Sequence, residues 1–539
     1  MLGRKLVLIL SSRFLVRFLG WIGILVLVRF WTIYADTALG IIGFAMSFLA
    51  IFNIVGDLGF SRAHVKRISE GKDLGTCIGT YATIKFVLIG IMVAALFVAI
   101  FILKNVMNYS FPNETTESVI YLLIFYYIFF NLEQIVTATF EGTGEIAKKQ
   151  TIHIFEAVKT PLFIIVALAG VSGKGVSEKI GWPSFLQPFQ QYLADHAVHA
   201  LAMTSVLAMI SCFIVGMWLI RKYPIKKPNW SLFKSYFTFG IPMMLFTVIG
   251  VISVNVDKLM IGYFWQDQIY QVGYYYTFQQ LLQILTIVYL ALDVVLFPTI
   301  SKFHSYKDHS KIKKTTLLAE RYISMVMVPI VVIIIVFVGP VIRIMLSKEF
   351  VPAASVFIVL TIYTFIFSLN RPYVSLISGM NQPAVLTKIA FVICLVNIPL
   401  NYLFIPRNGL LISFGINGPT GAAVATVISV TVGFIIIRFS AKKIAKMNIL
   451  QTHTPRHIIA GFIMGVVLYY LAFHILSLDI IRWYILVPLA LLGTSIYIAV
   501  LFIIKEFKKQ DLSFFLDIIN PKEMVKYVSK EFKDKSKKQ

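Results

Sequence analysis

Polar side chains recur at intervals of four residues within long apolar segments of this sequence. Two pairs and one isolated arginine stand out: Arg13 with Arg17, Gln279 with Gln283, and Arg371 alone. Residues four apart lie on one face of a helix. Charged groups inside such segments are costly and usually face a bundle interior or a water-filled cavity. The spacing therefore indicates a wet cleft between helices.

Several of these positions also have plainer explanations. Arg13 and Lys85 each lie about two turns into an apolar segment, so their side chains could extend to the cytoplasmic interface. Gln279 and Gln283 could serve only to hydrogen-bond a neighbouring helix. Arg17 lies deeper than Arg13, and we expect it to face the cleft, as we expect for Arg371, which lies in the middle of its segment.

A third polar stripe consists of Tyr127, Asn131 and Gln134, with Glu133 beside it. Asp57 lies near the cytoplasmic end of another segment. Capping or loop contacts explain Asp57 as well as contact with a ligand would. We keep Asn131 as a candidate cleft residue and leave both interpretations of Asp57 open.

The composition requires a membrane to surround these segments. Of 539 residues, 58% are hydrophobic and 14% are charged, and the mean hydropathy is +0.83. Soluble proteins contain about 25% charged residues. The apolar blocks are about 20 residues long, which is the length of a transmembrane helix and not of a barrel strand. The sequence predicts an all-α polytopic membrane protein.

The net charge of +24 is explained by loop orientation rather than by nucleic-acid binding. Lysine and arginine concentrate in alternate connections, which places those connections, both termini and the basic tail in the cytoplasm. The longest external connection, about 172–197, contains aromatic residues that suggest a segment lying on the outer face. About fourteen spans are predicted: 6–30, 38–58, 77–103, 118–140, 151–171, 198–220, 238–262, 274–299, 320–344, 353–377, 386–405, 419–437, 457–477 and 483–504.

An internal repeat divides the spans into two sets. "VRFWTIYADTALGIIGFAMSFLAIFNIV" resembles "IGYFWQDQIYQVGYYYTFQQLLQILTIV", and Gly40 matches Gly273. Six spans per repeat start both copies on the same side, which predicts two parallel lobes with a binding site between them. The predicted regions are a six-helix lobe at 1–220, a second at 221–440, two additional helices at 441–504 and a basic cytoplasmic tail at 505–539.

The stretch "NVDKLMIGYF" places an aspartate next to a lysine inside a span. Asp257 shares a helical face with Gly250 and Ser253, so we expect it to point into the bundle. Lys258 lies about 100° around the helix, and we expect its long side chain to reach outward to the interface.

Motifs for catalysis and metal binding are absent from the sequence. No G-x-x-x-x-G-K-[ST], G-x-S-x-G or H-E-x-x-H pattern occurs, so neither nucleotide hydrolysis nor these enzyme classes are indicated. The three cysteines, Cys77, Cys212 and Cys394, are far apart, which argues against a disulfide framework or a zinc site. The sequence predicts a protein that is not an enzyme and holds no metal cofactor.

Three stretches resemble prokaryotic polysaccharide-biosynthesis transporters, the lipid-linked oligosaccharide flippases of the multidrug/oligosaccharidyl-lipid/polysaccharide exporter superfamily. The span carrying "NVDKLMIGYF" is similar to that family's seventh span, and "GDLGFSRAHVKRISEG" is similar to its second span and following loop. "NIPLNYLFIPRNG…GINGPTGAAVATVIS" is similar to its eleventh and twelfth spans. The similarity covers about residues 10–440, in the same order and spacing.

This resemblance implies a V-shaped pair of lobes that work by alternating access. Its implied substrate is a polyisoprenyl phosphate or diphosphate carrying a sugar or oligosaccharide, flipped from the cytoplasmic to the outer leaflet for surface polysaccharide or glycoprotein assembly. Cationic partners for the phosphate would come from Arg17 and Arg371, with Arg13, Lys85 and Lys258 as further candidates. Hydroxyl groups of the glycan would suit Gln279, Gln283 and Asn131.

The resemblance also implies the protein's partners and setting. Acidic residues bind Na⁺ or H⁺ in some relatives, which makes Asp57, Glu133 and Asp257 candidates for ion coupling. Membrane lipids and other glycan-assembly proteins are the candidate partners, and a prokaryotic plasma membrane is the expected location. The alternative is an ion-coupled multidrug or small-molecule antiporter of the same superfamily. Cation binding would favour an acidic cleft, and the arginines argue against one.

Overall fold

The described part of the chain is a bundle of nineteen α-helices without β-strands. The computed structural model describes residues 2–173, 182–446, 453–476 and 481–507, together with Asp511. The predicted all-α membrane fold is confirmed. The helices are α1 Leu2–Trp31, α2 Ile33–Asp57, α3 Phe60–Ser69, α4 Leu74–Asn105, α5 Glu114–Gly142, α6 Ile146–Phe155, α7 Lys159–Ala169, α8 Gln187–Asp195, α9 Ala197–Ile220, α10 Trp230–Phe264, α11 Tyr270–Leu282, α12 Thr286–Ser305, α13 His309–Val336, α14 Val338–Met345, α15 Ala354–Gly379, α16 Pro383–Phe404, α17 Gly418–Ala445, α18 His453–Tyr470 and α19 Trp483–Ile503.

Thirteen helical segments within the described residues are long and apolar enough to cross a membrane. The predicted span 274–299 is not one continuous helix, because a 3₁₀ turn at Gln283–Leu285 separates α11 from α12. A second 3₁₀ turn, at Glu156–Val158, separates α6 from α7 within the predicted span 151–171. Such mid-helix turns often mark functional hinges.

Helix ends in the predicted loops are fixed by local hydrogen bonds. The Asp73 side chain accepts from the Thr76 backbone N–H at 2.9 Å at the start of α4, and Asn113 accepts from Thr116 at 2.7 Å at the start of α5. These caps satisfy backbone donors that have no partner inside the helix. Between α2 and α3, Gly59 adopts a φ of 80°, which glycine tolerates at low cost.

The helices pack as two groups, followed by a terminal pair. Helices α1, α2, α4 to α7 and α9 pack on one another and form the N-terminal lobe. The C-terminal half of α10 and helices α11 to α17 form the C-terminal lobe. The N-terminal half of α10 contacts α3 and α4, while α18 and α19 pack together against α13.

The two lobes meet where α2 crosses α11, at the end predicted to face outside. A Cβ atom on Gly40 would lie 2.2 Å from the Ile269 carbonyl oxygen, and one on Gly273 would lie 1.9 Å from the Asp36 carbonyl oxygen. Only glycine permits this approach of the two backbones. The two glycines that match in the sequence repeat are therefore the two that face each other between the lobes.

The long connection at 172–197 includes the short helix α8, on which aromatic side chains are exposed. Phe185, Phe189 and Tyr192 all project from the protein surface. Exposed aromatic residues beside membrane-spanning helices are typical of the interface. Residues 174–181 of this connection lie outside the described residues, as do 508–510 and 512–539 of the predicted basic tail.

Candidate functional site

A cavity of about 190 Å³ lies between the two lobes, next to the contact of α2 with α11. Helices α1, α2, α7 and α9 supply one wall, and α11 with its following 3₁₀ turn supplies the other. Its polar lining consists of Arg17, Glu156, Lys159, Thr160, Ser205, Tyr276, Gln280 and Gln283. Both lobes thus contribute polar groups to one site.

Arg17 crosses from the N-terminal lobe to the C-terminal lobe. Its Nη1 donates to the Gln283 carbonyl oxygen at 3.4 Å and to the Thr286 hydroxyl. The same carbonyl accepts from the Thr286 backbone N–H and, at 2.6 Å, from the Thr286 hydroxyl, so Arg17 binds directly at the 3₁₀ turn that separates α11 from α12. The guanidinium has further N–H groups, and Arg17 lines the cavity.

Glu156 and Lys159 were missed by the sequence analysis and lie on the same cavity. Glu156 begins the 3₁₀ turn between α6 and α7, and Lys159, three residues later, begins α7. Within the described part of the chain, neither side chain makes an ion pair or hydrogen bond, and the Lys159 ammonium lies 5.8 Å from the Phe163 ring centre. Two ionisable residues three apart in the middle of a span were the signal that could have identified them.

The other predicted cations lie elsewhere. The Arg371 guanidinium is 5.3 Å from the Tyr289 ring centre and 5.8 Å from that of Phe367, and it does not line this cavity. Arg13 is exposed, one turn from Arg17 on α1. The structure thus brings Arg17 and Gln283 together at the cavity, and neither Arg13 nor Arg371 lines it.

Lys85 forms the centre of a polar cluster inside the N-terminal lobe. The side chain is fully buried, and its Nζ donates to the Gly56 carbonyl at 2.9 Å and to Asp57 Oδ1 at 3.0 Å. It also donates to Asn131 Oδ1 at 3.0 Å and to Gln134 Oε1 at 2.7 Å. Four oxygen atoms therefore surround the Lys85 ammonium group, in the way that oxygen ligands surround a bound metal cation.

This cluster shows where Lys85, Asn131 and Asp57 lie, and one of the three expectations is wrong. The suggestion that Lys85 extends to the cytoplasmic interface is wrong, because its charge is held inside the lobe by Asp57. Asn131 is buried in the same cluster and does not line the cavity between the lobes. Asp57 also accepts from the Ser61 backbone N–H at 3.2 Å, so it caps α3 as well.

Glu133 borders a second cavity of about 390 Å³ within the N-terminal lobe. The carboxylate is buried, and among the described residues its Oε1 has no hydrogen-bond partner. His153 Nδ1 lies 4.0 Å away, and Lys149 lines the same cavity. Glu133 is separate from the site between the lobes.

Asp257 is a buried acid of the C-terminal lobe, and its hydrogen-bond donors are uncharged. Its Oδ2 accepts from the Tyr275 hydroxyl at 2.5 Å and from Thr426 Oγ1 at 2.7 Å. Its Oδ1 accepts from Asn401 Nδ2 at 2.6 Å, and that amide also donates to Asn397 Oδ1 at 3.0 Å. Three helices besides its own therefore supply donors to this carboxylate.

Lys258 does not extend outward, so that expectation is wrong. The residue is buried, and its Nζ donates to Gln279 Oε1 at 2.9 Å and to the Val254 carbonyl at 2.8 Å. Gln279 is consequently occupied by this lysine and does not line the cavity. The inward orientation expected of Asp257 agrees with its burial.

The sequence was compared with known families and curated proteins. The family described as "Polysaccharide biosynthesis protein" matches residues 192–355. A curated relative, the "Probable low-salt glycan biosynthesis flippase Agl15" of Haloferax volcanii, is 25% identical over 236 residues. The match covers 42% of this chain and 48% of that protein, so the chain spans about half the length of this relative.

Solved membrane transporters share the fold. A structure described as "Lipid II flippase MurJ, inward closed conformation" superimposes with a TM-score of 0.67 at 16% identity. That alignment covers 95% of this chain and all (100%) of the other. An inward-facing multidrug resistance MATE family transporter of the MOP superfamily superimposes with a TM-score of 0.61 at 14% identity, over 80% of this chain and 95% of the other.

The resemblance that the motifs indicated is therefore confirmed. The chain is similar to polysaccharide-biosynthesis flippases and has the fold of this transporter superfamily. Multidrug transporters share the fold as well, so the fold alone does not identify a substrate.

Proposed function

We propose that this protein flips a polyisoprenyl-phosphate- or diphosphate-linked sugar or oligosaccharide from the cytoplasmic to the outer leaflet by alternating access. The observation that carries the proposal is the presence of two cations, Arg17 and Lys159, against one acid, Glu156, in the cavity between the lobes. A site with excess positive charge favours an anionic ligand and disfavours a cationic one. No bond of the substrate need be broken, so the protein acts as a transporter and not as an enzyme.

A phosphate group fits these two cations. Arginine offers paired N–H donors to phosphate oxygens, and lysine offers a compact positive charge. Lys159 is the freer of the two, because no hydrogen bond or ion pair engages it within the described residues. Arg17 would have to release Thr286 or share its donors, so phosphate binding and the contact between the lobes would be coupled.

The remaining lining suits sugars. Tyr276, Gln280 and Gln283 line the cavity and offer donors and acceptors for hydroxyl groups. The volume of about 190 Å³ is below the range of about 300–1,000 Å³ that small-molecule sites occupy. The lobes must therefore open further to admit an oligosaccharide, while the isoprenoid chain stays in the bilayer between them.

Ion coupling is assigned to Asp257 in this proposal. Asp57 already has Lys85 as its counter-charge, whereas the donors to Asp257 are neutral. The buried Asn401 Oδ1 lacks a hydrogen-bond partner among the described residues and lies in the same cluster. A proton, or a Na⁺ ion with oxygen ligands, would compensate the Asp257 charge. Glu133 remains a second candidate.

The test is translocation by the purified protein in liposomes. A fluorescent polyisoprenyl-diphosphate-linked oligosaccharide is placed in one leaflet, and a membrane-impermeant oxidant reports its arrival in the other. The wild-type protein should move it, and Arg17→Gln with Lys159→Gln should slow movement at least about tenfold, because one lost charge-assisted hydrogen bond is worth roughly that factor.

The matched control is Lys104→Gln, which removes an exposed lysine paired with Glu117 at 2.9 Å outside the cavity. It should leave translocation unchanged. Two results would contradict the proposal: a wild-type protein that moves no lipid-linked glycan, or a double variant that is as active as the wild type.

The antiporter alternative is tested in the same liposomes. Its support is the fold shared with multidrug transporters, and the excess positive charge of the cavity argues against cationic drugs. Ion-dependent export of a cationic dye by the wild-type protein, without glycan movement, would favour it.

The proposal includes a setting and partners. The protein is a multi-pass membrane protein, and the lysine and arginine distribution supports cytoplasmic termini. The similarity to the flippase of Haloferax volcanii supports a prokaryotic plasma membrane. The lipid-linked glycan would come from cytoplasmic glycosyl transfer and be consumed outside, so other glycan-assembly proteins are the expected partners.

A further inference from the structure

Three arginines from separate helical elements converge at the end of the molecule predicted to face outside. Arg29 is at the end of α1, Arg343 is near the end of α14, and Arg482 immediately precedes α19. They line one pocket of about 630 Å³. External ends of membrane proteins carry few basic residues, so this concentration runs against the charge distribution of the rest of the chain.

Among the described residues, these arginines have no acidic partner. No described residue that lines the pocket is acidic, and none of the three makes an ion pair with a described residue. Arg29 Nη2 donates to the Arg343 carbonyl oxygen at 3.0 Å and to that of Ile344. Arg29 thereby caps the C-terminal end of α14. Arg482 donates through Nη1 to the Tyr484 hydroxyl at 3.4 Å. Within the described part of the chain the other guanidinium N–H groups make no hydrogen bond, so they can bind a ligand.

The rest of the lining is apolar or aromatic. It includes Phe473, Ile481, Trp483 and Tyr484. Tryptophan and tyrosine at this level are typical of the lipid headgroup region, and apolar walls below a basic rim match the two chemical parts of a lipid. Basic pockets between transmembrane helices bind lipid head groups.

We propose that this pocket binds an anionic phospholipid, with the phosphate held by Arg29, Arg343 and Arg482 and an acyl chain along the apolar wall. The proposal is independent of the transported substrate. Arg29 belongs to the N-terminal lobe, and the other two arginines belong to the C-terminal part of the chain. The bound lipid therefore stabilises the conformation in which the end of α1 lies close to the end of α14 and the start of α19.

The test is lipid binding to the purified full-length protein, measured by native mass spectrometry and by the rise in Tm. Phosphatidylglycerol should bind at least about tenfold more tightly than phosphatidylcholine, and Arg343→Gln with Arg482→Gln should remove that difference. Both side chains are exposed, so the variant should fold. Arg29→Gln should weaken binding too, although it also removes the α14 cap.

The control is Arg221→Gln, which changes an exposed arginine beside an aromatic ring, 5.2 Å from the centre of Trp218, outside the pocket. It should retain the preference for phosphatidylglycerol. Equal binding of the two lipids, or a preference that survives in the double variant, would overturn the proposal. Displacement of the lipid by millimolar inorganic phosphate would identify free phosphate as the ligand and also overturn it.

Discussion

Asp57 and Asp257 are aspartates within the two lobes, and they differ in what balances their charge. Asp57 lies 3.0 Å from the ammonium of Lys85, which is fully buried and donates to three further oxygens. Asp257 accepts hydrogen bonds from Tyr275, Thr426 and Asn401, all of them uncharged. The carboxylate of Asp57 accepts a hydrogen bond from a cation, and that of Asp257 does not.

The two surroundings have different consequences for ion binding. A buried carboxylate is expensive unless a positive charge or a proton compensates it. In the N-terminal lobe the compensation is covalently part of the chain and cannot be exchanged. In the C-terminal lobe the neighbouring Lys258 donates to Gln279 and Val254, and the hydrogen-bond donors to Asp257 are neutral. Under the proposed function, the Asp257 cluster is therefore the first candidate for a response to Na⁺ or H⁺.

The largest expected effect is that of removing the internal cation. Lys85→Met should lower the free energy of unfolding by about 3–5 kcal/mol, because it leaves Asp57 without its partner. Thermal unfolding in detergent measures the change. Adding Asp57→Asn should recover part of the loss, and Lys104→Met, at an exposed pair, should cost no more than about 1 kcal/mol. A Lys85→Met protein of wild-type stability would refute the fixed ion pair.

The same substitution in both lobes should have unequal costs. Asp57→Asn should cost about 2 kcal/mol, since it leaves the buried Lys85 ammonium without a carboxylate. Asp257→Asn should cost about 1 kcal/mol or less, because hydroxyl donors can rotate to suit an amide. Tm values of the two variants, measured side by side, test this order. Equal losses would show that the two acids are balanced alike.

A smaller, pH-dependent effect is expected outside the membrane, at Glu506. Burial opposes ionisation of this carboxyl, but hydrogen bonds from Arg321, Arg456 and His453 outweigh it and lower its pKa below the usual value of 4.5. A lowered pKa stabilises the folded state above the unfolded value and loses that contribution as the pH falls through the folded value.

Stability measured between pH 7 and pH 3 should therefore decline less steeply in Glu506→Gln than in the wild type. The variant itself should lose about 1 kcal/mol at neutral pH. Parallel pH profiles would show that Glu506 contributes nothing to the acid response. This cluster, like that of Lys85, contains its own cations, so its response is confined to acid pH.

The sequence predicted the fold and the inward position of Asp257, because both follow from local periodicity. The repeat also identified Gly40 and Gly273, which the structure brings into contact. The surroundings of Lys85 and Lys258 were not predictable, because their partners lie on other helices. An isolated lysine in a transmembrane helix is expected to extend its side chain to the membrane interface. That expectation holds only when the fold places no hydrogen-bond acceptor near its ammonium group.

The cavity was predictable only in part. Arg17 and Gln283 came from stripes of constant spacing, whereas Lys159 lies at a 3₁₀ turn that interrupts the helical spacing of its span. Arg371 is in the middle of a span, as predicted, but its guanidinium packs against two aromatic rings. Depth in the membrane follows from sequence position, and the direction of a side chain follows only from how the helices pack.

The most direct test of the difference between the lobes is the ion dependence of glycan translocation in liposomes. The rate is measured with and without an imposed Na⁺ or H⁺ gradient, for the wild type and for Asp257→Asn. We predict that a gradient of one of these ions accelerates the wild type and has no effect on Asp257→Asn. An Asp257→Asn protein that responds to the gradient as the wild type does would contradict the assignment of ion coupling to the C-terminal lobe.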